Sequence, residues 1–190
     1  MTFDFTTARK NMVDSQVSTS DVTDPGILDA MRLVERERLC PTERQSLAYA
    51  DAEVACGGGR YLMRPRDVSK LLQSLRPRAG EKALAIAAPY VAAVLEAMGL
   101  EVDRLDEGDL AAPAGGGYDV VVSEGAVTAA PPGWLSALGR GGRLAVVERN
   151  GPVGKAKLYV KADHGLGVRE VFDSTPPVLS GFEAKPRFAF

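Results

Sequence analysis

The sequence predicts an α/β domain: a mostly parallel twisted sheet with helices on both faces, antiparallel strands towards the C-terminus and a helical cap at the N-terminus. Three observations predict it. Apolar runs of strand length, LAIAA (84–88), YDVVVS (118–123) and RLAVVE (143–148), are interleaved with segments of helical spacing. The first of these runs passes directly into YVAAVLEAMG, a strand followed at once by a helix. Two later runs, KAKLYVKA and VREVFDS, are joined by DHGLG and predict an antiparallel pair.

The 190 residues suit one domain spanning 1–190, with the helical cap over 1–55 and the α/β core over 56–190. Hydrophobic residues make up 45% of the chain, which is ordinary for a globular protein. The formal net charge of −2 gives no electrostatic reason to expect nucleic acid or an anionic membrane as partner. The two cysteines, Cys40 and Cys56, are too few for a disulfide scaffold and imply a reducing compartment. No apolar run reaches transmembrane length, and MTFDFTTARKN lacks a signal-peptide core, so a cytoplasmic protein is expected. The single histidine, His164, excludes a His-rich metal site, and no metal is expected. A Ser-His-Asp triad would need that same residue, which sits in a Gly-rich turn and is expected at the surface.

Residues 1–20 carry weak patterning. Asp24-Pro25 opens a helix with proline at its first position, and Ile27, Leu28, Met31 and Val34 share one face. A short helix is expected over Pro41–Ala50. The glycines of CGGGRYLMRP permit close backbone approach, as a flexible connector or as a loop over a site. Arg66–Leu75 is a helix with Val68, Leu71, Leu72 and Leu75 on its apolar side. Arg64, Arg66, Lys70, Arg76 and Arg78 make this stretch basic, with no interleaved aromatics to suggest base stacking.

Lys82–Ala87 is then a strand, Tyr90–Met98 a helix and Glu101–Leu105 a second strand ending in Asp106-Glu107-Gly108-Asp109. Ala111–Gly117 is a Pro/Gly-rich loop, and Pro131–Leu138 a helix whose Trp134 is expected in the core. Gly139-Arg140-Gly141-Gly142 is expected as a helix cap and turn before the strand Arg143–Glu148. The tail is rich in proline and phenylalanine.

A strand running directly into a helix is where α/β proteins bind nucleotide-like cofactors, because the helix N-terminus offers free N–H groups and glycines admit the ligand. Here the turn is Ala87-Ala88-Pro89, without glycine. No G-x-G-x-x-G follows a strand, and there is no Walker A, G-x-S-x-G or C-x-x-C motif. The architecture predicts a cofactor site; the turn chemistry argues against one.

Three stretches together resemble the protein-L-isoaspartate O-methyltransferase family, which uses S-adenosylmethionine. The block MVDSQVSTSDVTDPGILDAMRLVERERLCPTERQSLAYAD is similar to its N-terminal cap. GGGRYLMRPRDVSKLLQSLRPRAGEKALAIAAPYVAAVL is similar to its substrate loop and first cofactor motif, and YDVVVSEGAVTAAPPGWLSALGRGGRLAVV to its later strand–loop–helix–strand segment. The resemblance implies a Rossmann-like methyltransferase fold and methylation of a protein carboxylate. Three departures stand out. The family's Gly-rich turn is replaced by Ala87-Ala88-Pro89 and is about two residues short. Its substrate-loop hydroxyl residue is matched by Tyr61-Leu62-Met63. Only 18 residues separate Gly99 from Tyr118, where a complete βαβ unit takes roughly 30, so one β/α unit is expected to be missing.

The shortening leaves two alignments. If Glu101–Leu105 is the family's second strand, Asp106 or Glu107 stands where an acid binds the cofactor ribose. If it is the third, Asp109 stands where an acid meets the adenine amine. Two functions lead, ahead of a different small-molecule site on the same fold. One is an active S-adenosylmethionine-dependent isoaspartyl O-methyltransferase. The other is a pseudoenzyme without cofactor, kept as a binding or regulatory module, with a protein partner or a second copy covering surface around Ala87–Val102 and Ala111–Gly117. The departures favour the second.

Overall fold

The computed structural model describes residues 3–184; the final part of the Pro- and Phe-rich tail lies outside the described residues. Helix α1 (Phe5–Met12) opens the chain. Asp4 caps it by accepting from the Thr7 N–H at 3.0 Å, and it continues as a π-helical turn over Val13–Val17. The weak sequence pattern there did not announce a helix; its local signal was this cap. Helix α2 (Pro25–Leu33) starts as expected, with Asp24 accepting from the N–H groups of Gly26 and Ile27. The expected helix over Pro41–Ala50 is a 3-10 segment, Thr42–Leu47.

Strands β1 (Val54–Gly57) and β2 (Arg60–Leu62) form a small hairpin turned by Gly58 and Gly59, and all three glycines are at positive φ. Helix α3 (Pro65–Leu75) follows and ends at Arg76 in left-handed conformation. The main sheet contains β3 (Lys82–Ile86), β4 (Glu101–Leu105), β5 (Tyr118–Val127), β6 (Leu138–Glu148), β7 (Gly154–Ala162) and β8 (Gly165–Ser174). Its order is β4-β3-β5-β6-β7-β8. The first four are parallel neighbours, and β7 and β8 add antiparallel at the far edge. Helix α4 (Pro89–Ala97) links β3 to β4, and α5 (Pro132–Ala137) lies between β5 and β6.

Alternation along the strands divides the core. Ala83, Ala85, Val120, Val122, Ala145 and Val147 face one side, under α3, α4 and the cap helices. Leu84, Ile86, Val121, Leu144 and Val146 face the other, with Trp134 of α5. Trp134 is fully buried, as expected, and its indole N–H donates to Leu110 O at 2.6 Å. The exposed His164 sits in the β7–β8 turn.

The segment between β4 and β5 contains neither helix nor strand, so the sheet is one β/α unit short, as the 18-residue gap implied. The glycines at 139–142 differ from expectation. They belong to β6, where the register against β5 slips between Tyr118 and Val120. A Cβ on Gly142 would stand 2.5 Å from Tyr118 O, so this close strand approach, rather than a helix cap, needs the glycine.

The apolar face expected around Ala87–Val102 is not uncovered. Helix α4 buries Tyr90, Val91, Val94 and Leu95 inward, and the free edge strand β4 presents Glu101, Asp103 and Arg104. Arg104 is held by Glu96 at 3.0 and 2.7 Å. Charge on an edge strand blunts pairing with another chain. The exposed large apolar side chains lie elsewhere, notably Val160, Leu166 and Val168 on β7 and β8.

Candidate functional site

Parallel strands β3 and β5 are paired up to Ile86 and Ser123, and beyond them the chain leaves towards α4 on one side and α5 on the other. Ligands of open α/β sheets bind at that switch point, outside the carboxyl ends of the strands. A cleft of about 340 Å³ lies there, lined by Gly58, Gly59 and Arg60 of the β1–β2 hairpin, Ala87, Asp106–Gly108, Leu110, Leu179 and Ser180. The volume is at the low end of the ~300–1,000 Å³ usual for small-molecule sites. Gly58 and Gly59 are therefore both the hairpin turn and a wall of the cleft.

β4 pairs directly with β3, from Lys82–Glu101 through Ile86–Leu105, which is the geometry of a second strand next to the first. Asp106 and Glu107, just past its carboxyl end, line the cleft. Arg60 reaches over to donate to Asp106 O at 3.3 Å. Asp109 does not line it. Its carboxylate turns back on its own loop and accepts from the Ala111 N–H at 3.0 Å.

The turn from β3 to α4 is strained and closed. Ala87 adopts φ +47°, a left-handed conformation that costs a residue with a Cβ about 1 kcal/mol or more, and its N–H is spent on Leu105 O at 2.9 Å. Ala87 and Ala88 are both buried. Pro89 has no N–H to offer, and α4 has no local side-chain cap.

The cap comes from β5. Between Val122 and Ala126 the register against β6 slips, and this bulge turns Glu124 inward. The fully buried Glu124 carboxylate accepts from the N–H groups of Tyr90 at 2.8 Å and Val91 at 3.1 Å, the first free donors of α4. Its other oxygen accepts from the Met63 N–H at 3.3 Å. Burial pushes this carboxyl up to about 7, against the pull of the nearby Arg36 guanidinium and the three N–H donors. Arg36, itself buried, donates to Ala48 O and Met63 O and lies 4.4 Å over the Tyr90 ring. Arg36 Nη1, Tyr90 OH and Ser123 Oγ have no hydrogen-bond partner among the described residues.

Glu124 was missed in the sequence, although it left a signal: a lone glutamate in the apolar run VVVSEGAV, at the carboxyl end of a strand expected to be buried. Such a charge is rare without a bound partner. The substrate-loop counterparts are also internal. Leu62 and Met63 are fully buried, and Tyr61 is half-buried.

The chain's C-terminal segment closes the site from above. Ala126 bridges Val178, with Ala126 N–H donating to Pro177 O and Leu179 N–H to Ala126 O. Gly125, at φ +136°, permits this. A Cβ there would stand 2.5 Å from Leu179 Cδ2. Phe182 packs on Trp134 with ring centroids 5.5 Å apart. Cys40 is buried, Cys56 half-buried, and both are free. Among the described residues no group of His, Cys, Asp and Glu is arranged to hold a metal, and no helix is long and apolar enough to cross a membrane.

A parallel sheet wound in this order, with its cleft at the switch point and two antiparallel strands closing one edge, is the Rossmann-like fold of methyltransferases. Solved structures agree. A protein-L-isoaspartate O-methyltransferase superposes with a TM-score of 0.72 at 19% identity, covering 92% of this chain and 67% of that one. A beta-aspartate methyltransferase structure from Plasmodium falciparum, in complex with S-adenosyl-L-homocysteine, gives 0.73 at 11% identity over 90% and 98% of the two chains. The family model for protein-L-isoaspartate(D-aspartate) O-methyltransferase matches residues 7–105, and the chain belongs to that family. Its relatives include a protein-L-isoaspartate O-methyltransferase of Methylorubrum populi, 29% identical over 93% of this chain and 97% of the relative. Another, from Rhodopseudomonas palustris, is 36% identical over 54% of this chain and 42% of its own length.

Proposed function

We propose that this family member is a non-catalytic binding or regulatory module whose S-adenosylmethionine site is filled from within. One observation carries the proposal: the Glu124 carboxylate occupies the N–H donors at the start of α4, where a ligand's anionic group would dock. The residues at the turn do not fit the cofactor. The methyl groups of Ala87 and Ala88 stand where glycine would admit it, Pro89 lacks a donor, and a second carboxylate brought to α4 would meet Glu124. The module works in the cytoplasm with a protein partner or a second copy of itself, and uses neither nucleic acid, membrane nor metal.

The test is calorimetric titration of the purified protein with S-adenosylmethionine and S-adenosylhomocysteine. No binding at millimolar ligand is expected. Binding at micromolar strength overturns the proposal.

A second function is favoured by a specific observation, the cleft that keeps Asp106 and Glu107 together beside Ala87. An active isoaspartyl O-methyltransferase would hold the cofactor ribose on one of those acids, and the named activity of its relatives supports this. Micromolar cofactor binding that is lost in Asp106→Ala or Glu107→Ala, with methyl transfer to an isoaspartyl peptide, would establish it.

A further inference from the structure

The C-terminal part of the basic stretch, from Lys70 to Arg78, plays no part in the site above. It lies at the opposite end of the sheet, where the parallel strands begin. There a depression of about 680 Å³ opens between the C-terminal half of α3 and β8. Lys70, Arg76, Arg78 and Arg169 line it, and none of the four is in an ion pair among the described residues. Two carboxylates also face it. Asp24 is already spent on the N–H groups of Gly26 and Ile27, and Asp21 is exposed. Cations thus outnumber carboxylates here in a chain whose net charge is −2. A second depression of about 340 Å³ continues from it and shares Arg76, Arg78 and Arg169.

The cations are held on a firm frame. Arg143 ties the end of α3 to the sheet by donating to Leu75 O at 2.7 Å, Arg76 O at 3.2 Å and Glu81 at 2.8 and 3.0 Å. Lys70 Nζ lies 4.8 Å over the Phe172 ring, which fixes its direction. Phe172 lies outside the depression, and no aromatic ring lines it as a base-stacking platform. Unpaired cations lining a concave surface attract an extended anionic chain, and the lack of a stacking surface favours a run of carboxylates over a nucleic acid.

We propose that this groove binds a short acidic peptide segment of a partner protein. The row from Lys70 to Arg76 along α3 spans about 9 Å. An extended peptide covers that with about three residues at roughly 3.3–3.6 Å each. The groove is remote from the cleft, so it functions whether or not that cleft accepts a cofactor.

Fluorescence anisotropy of the full chain with fluorescein-labelled hexaglutamate at low ionic strength tests this. Binding is expected, weakening as salt is added. The double variant Arg76→Glu, Arg169→Glu should weaken it by at least about tenfold. The control Lys10→Glu, Arg44→Glu, with the same charge change away from the groove, should leave it within about twofold. Lys70→Gln with Arg78→Gln, which adds no negative charge, should also weaken it, and thermal melts confirm that each variant is folded. No binding, or equal loss in the control, overturns the proposal. Tighter binding of a thymidine hexanucleotide than of hexaglutamate also overturns it, in favour of nucleic acid.

Discussion

The two ends of the sheet treat their polar groups in opposite ways. At the carboxyl end, where α/β proteins bind ligands, the backbone donors around the start of α4 are satisfied from within. Glu124 takes the first N–H groups of α4, Leu105 O takes the Ala87 N–H, and the C-terminal segment pairs with Ala126. At the amino end, Lys70, Arg76, Arg78 and Arg169 are left to solvent around a groove. A buried polar group must find a partner and costs heavily without one, whereas an exposed charge costs little. The first donors of α4 are thus occupied at the end where the architecture places ligands, while unpaired charge is left at the end away from the cleft.

The largest effect that could break this contrast is expected at Glu124. Glu124→Ala strips three buried N–H groups of their shared acceptor and leaves the buried Arg36 guanidinium without a nearby carboxylate. A loss of about 3–5 kcal/mol is expected in urea unfolding. A loss below about 1 kcal/mol would show that the carboxylate does not fill the end of α4.

Glu124→Gln sharpens the same point through pH. The folded-state value of about 7 lies above the ordinary 4.5, so between these values the folded protein holds a proton that the unfolded chain has released. Stability from this group is full below 4.5 and is lost as pH rises towards 7. Asp67 is also pushed up by burial, so the slope alone does not isolate Glu124. The difference between wild type and Glu124→Gln does. Thermal melts should show wild type losing stability over that window more steeply than the variant. Parallel curves would mean the carboxyl titrates as an exposed one.

Much of this architecture was legible in the residues, because apolar periodicity and turn chemistry act locally. LAIAA, YDVVVS and RLAVVE became neighbouring strands, and the short gap before Tyr118 did remove a β/α unit. The site was less legible. That Asp106 and Glu107 reach the cleft while Asp109 does not depends on the pairing of β4 with β3, a long-range fact. Glu124 enters the interior only because of a bulge whose register is set by β6. The glycines at 139–142 resemble a helix cap in sequence; the approach of β5 makes them part of a strand. Each of these is decided by a partner far away in the chain.

Gly125→Ala is the next test in size. The new methyl would meet Leu179 at 2.5 Å, in a backbone conformation that disfavours any Cβ. A loss of about 2–3 kcal/mol is expected, concentrated in the C-terminal segment. Hydrogen exchange should quicken at Leu179 N–H, which donates to Ala126 O, and leave β3 protected. Uniform loss of protection would mean that this segment is integral to the core rather than a cover laid on it.

The smallest effect is expected at Ala87, and its sign matters more than its size. At φ +47° a Cβ is unfavourable, and glycine adopts this conformation freely. Glycine also gives the unfolded chain more freedom, which works against it. The strain should win, and Ala87→Gly should stabilise by about 0.5–1 kcal/mol. If the turn were the sole barrier, the same change would also let S-adenosylmethionine bind. With Glu124 still on the Tyr90 and Val91 N–H groups, it should not. Stabilisation without binding assigns the closure to Glu124. Stabilisation with micromolar binding assigns it to the methyl group of Ala87 and leaves the carboxyl end of the sheet open after all.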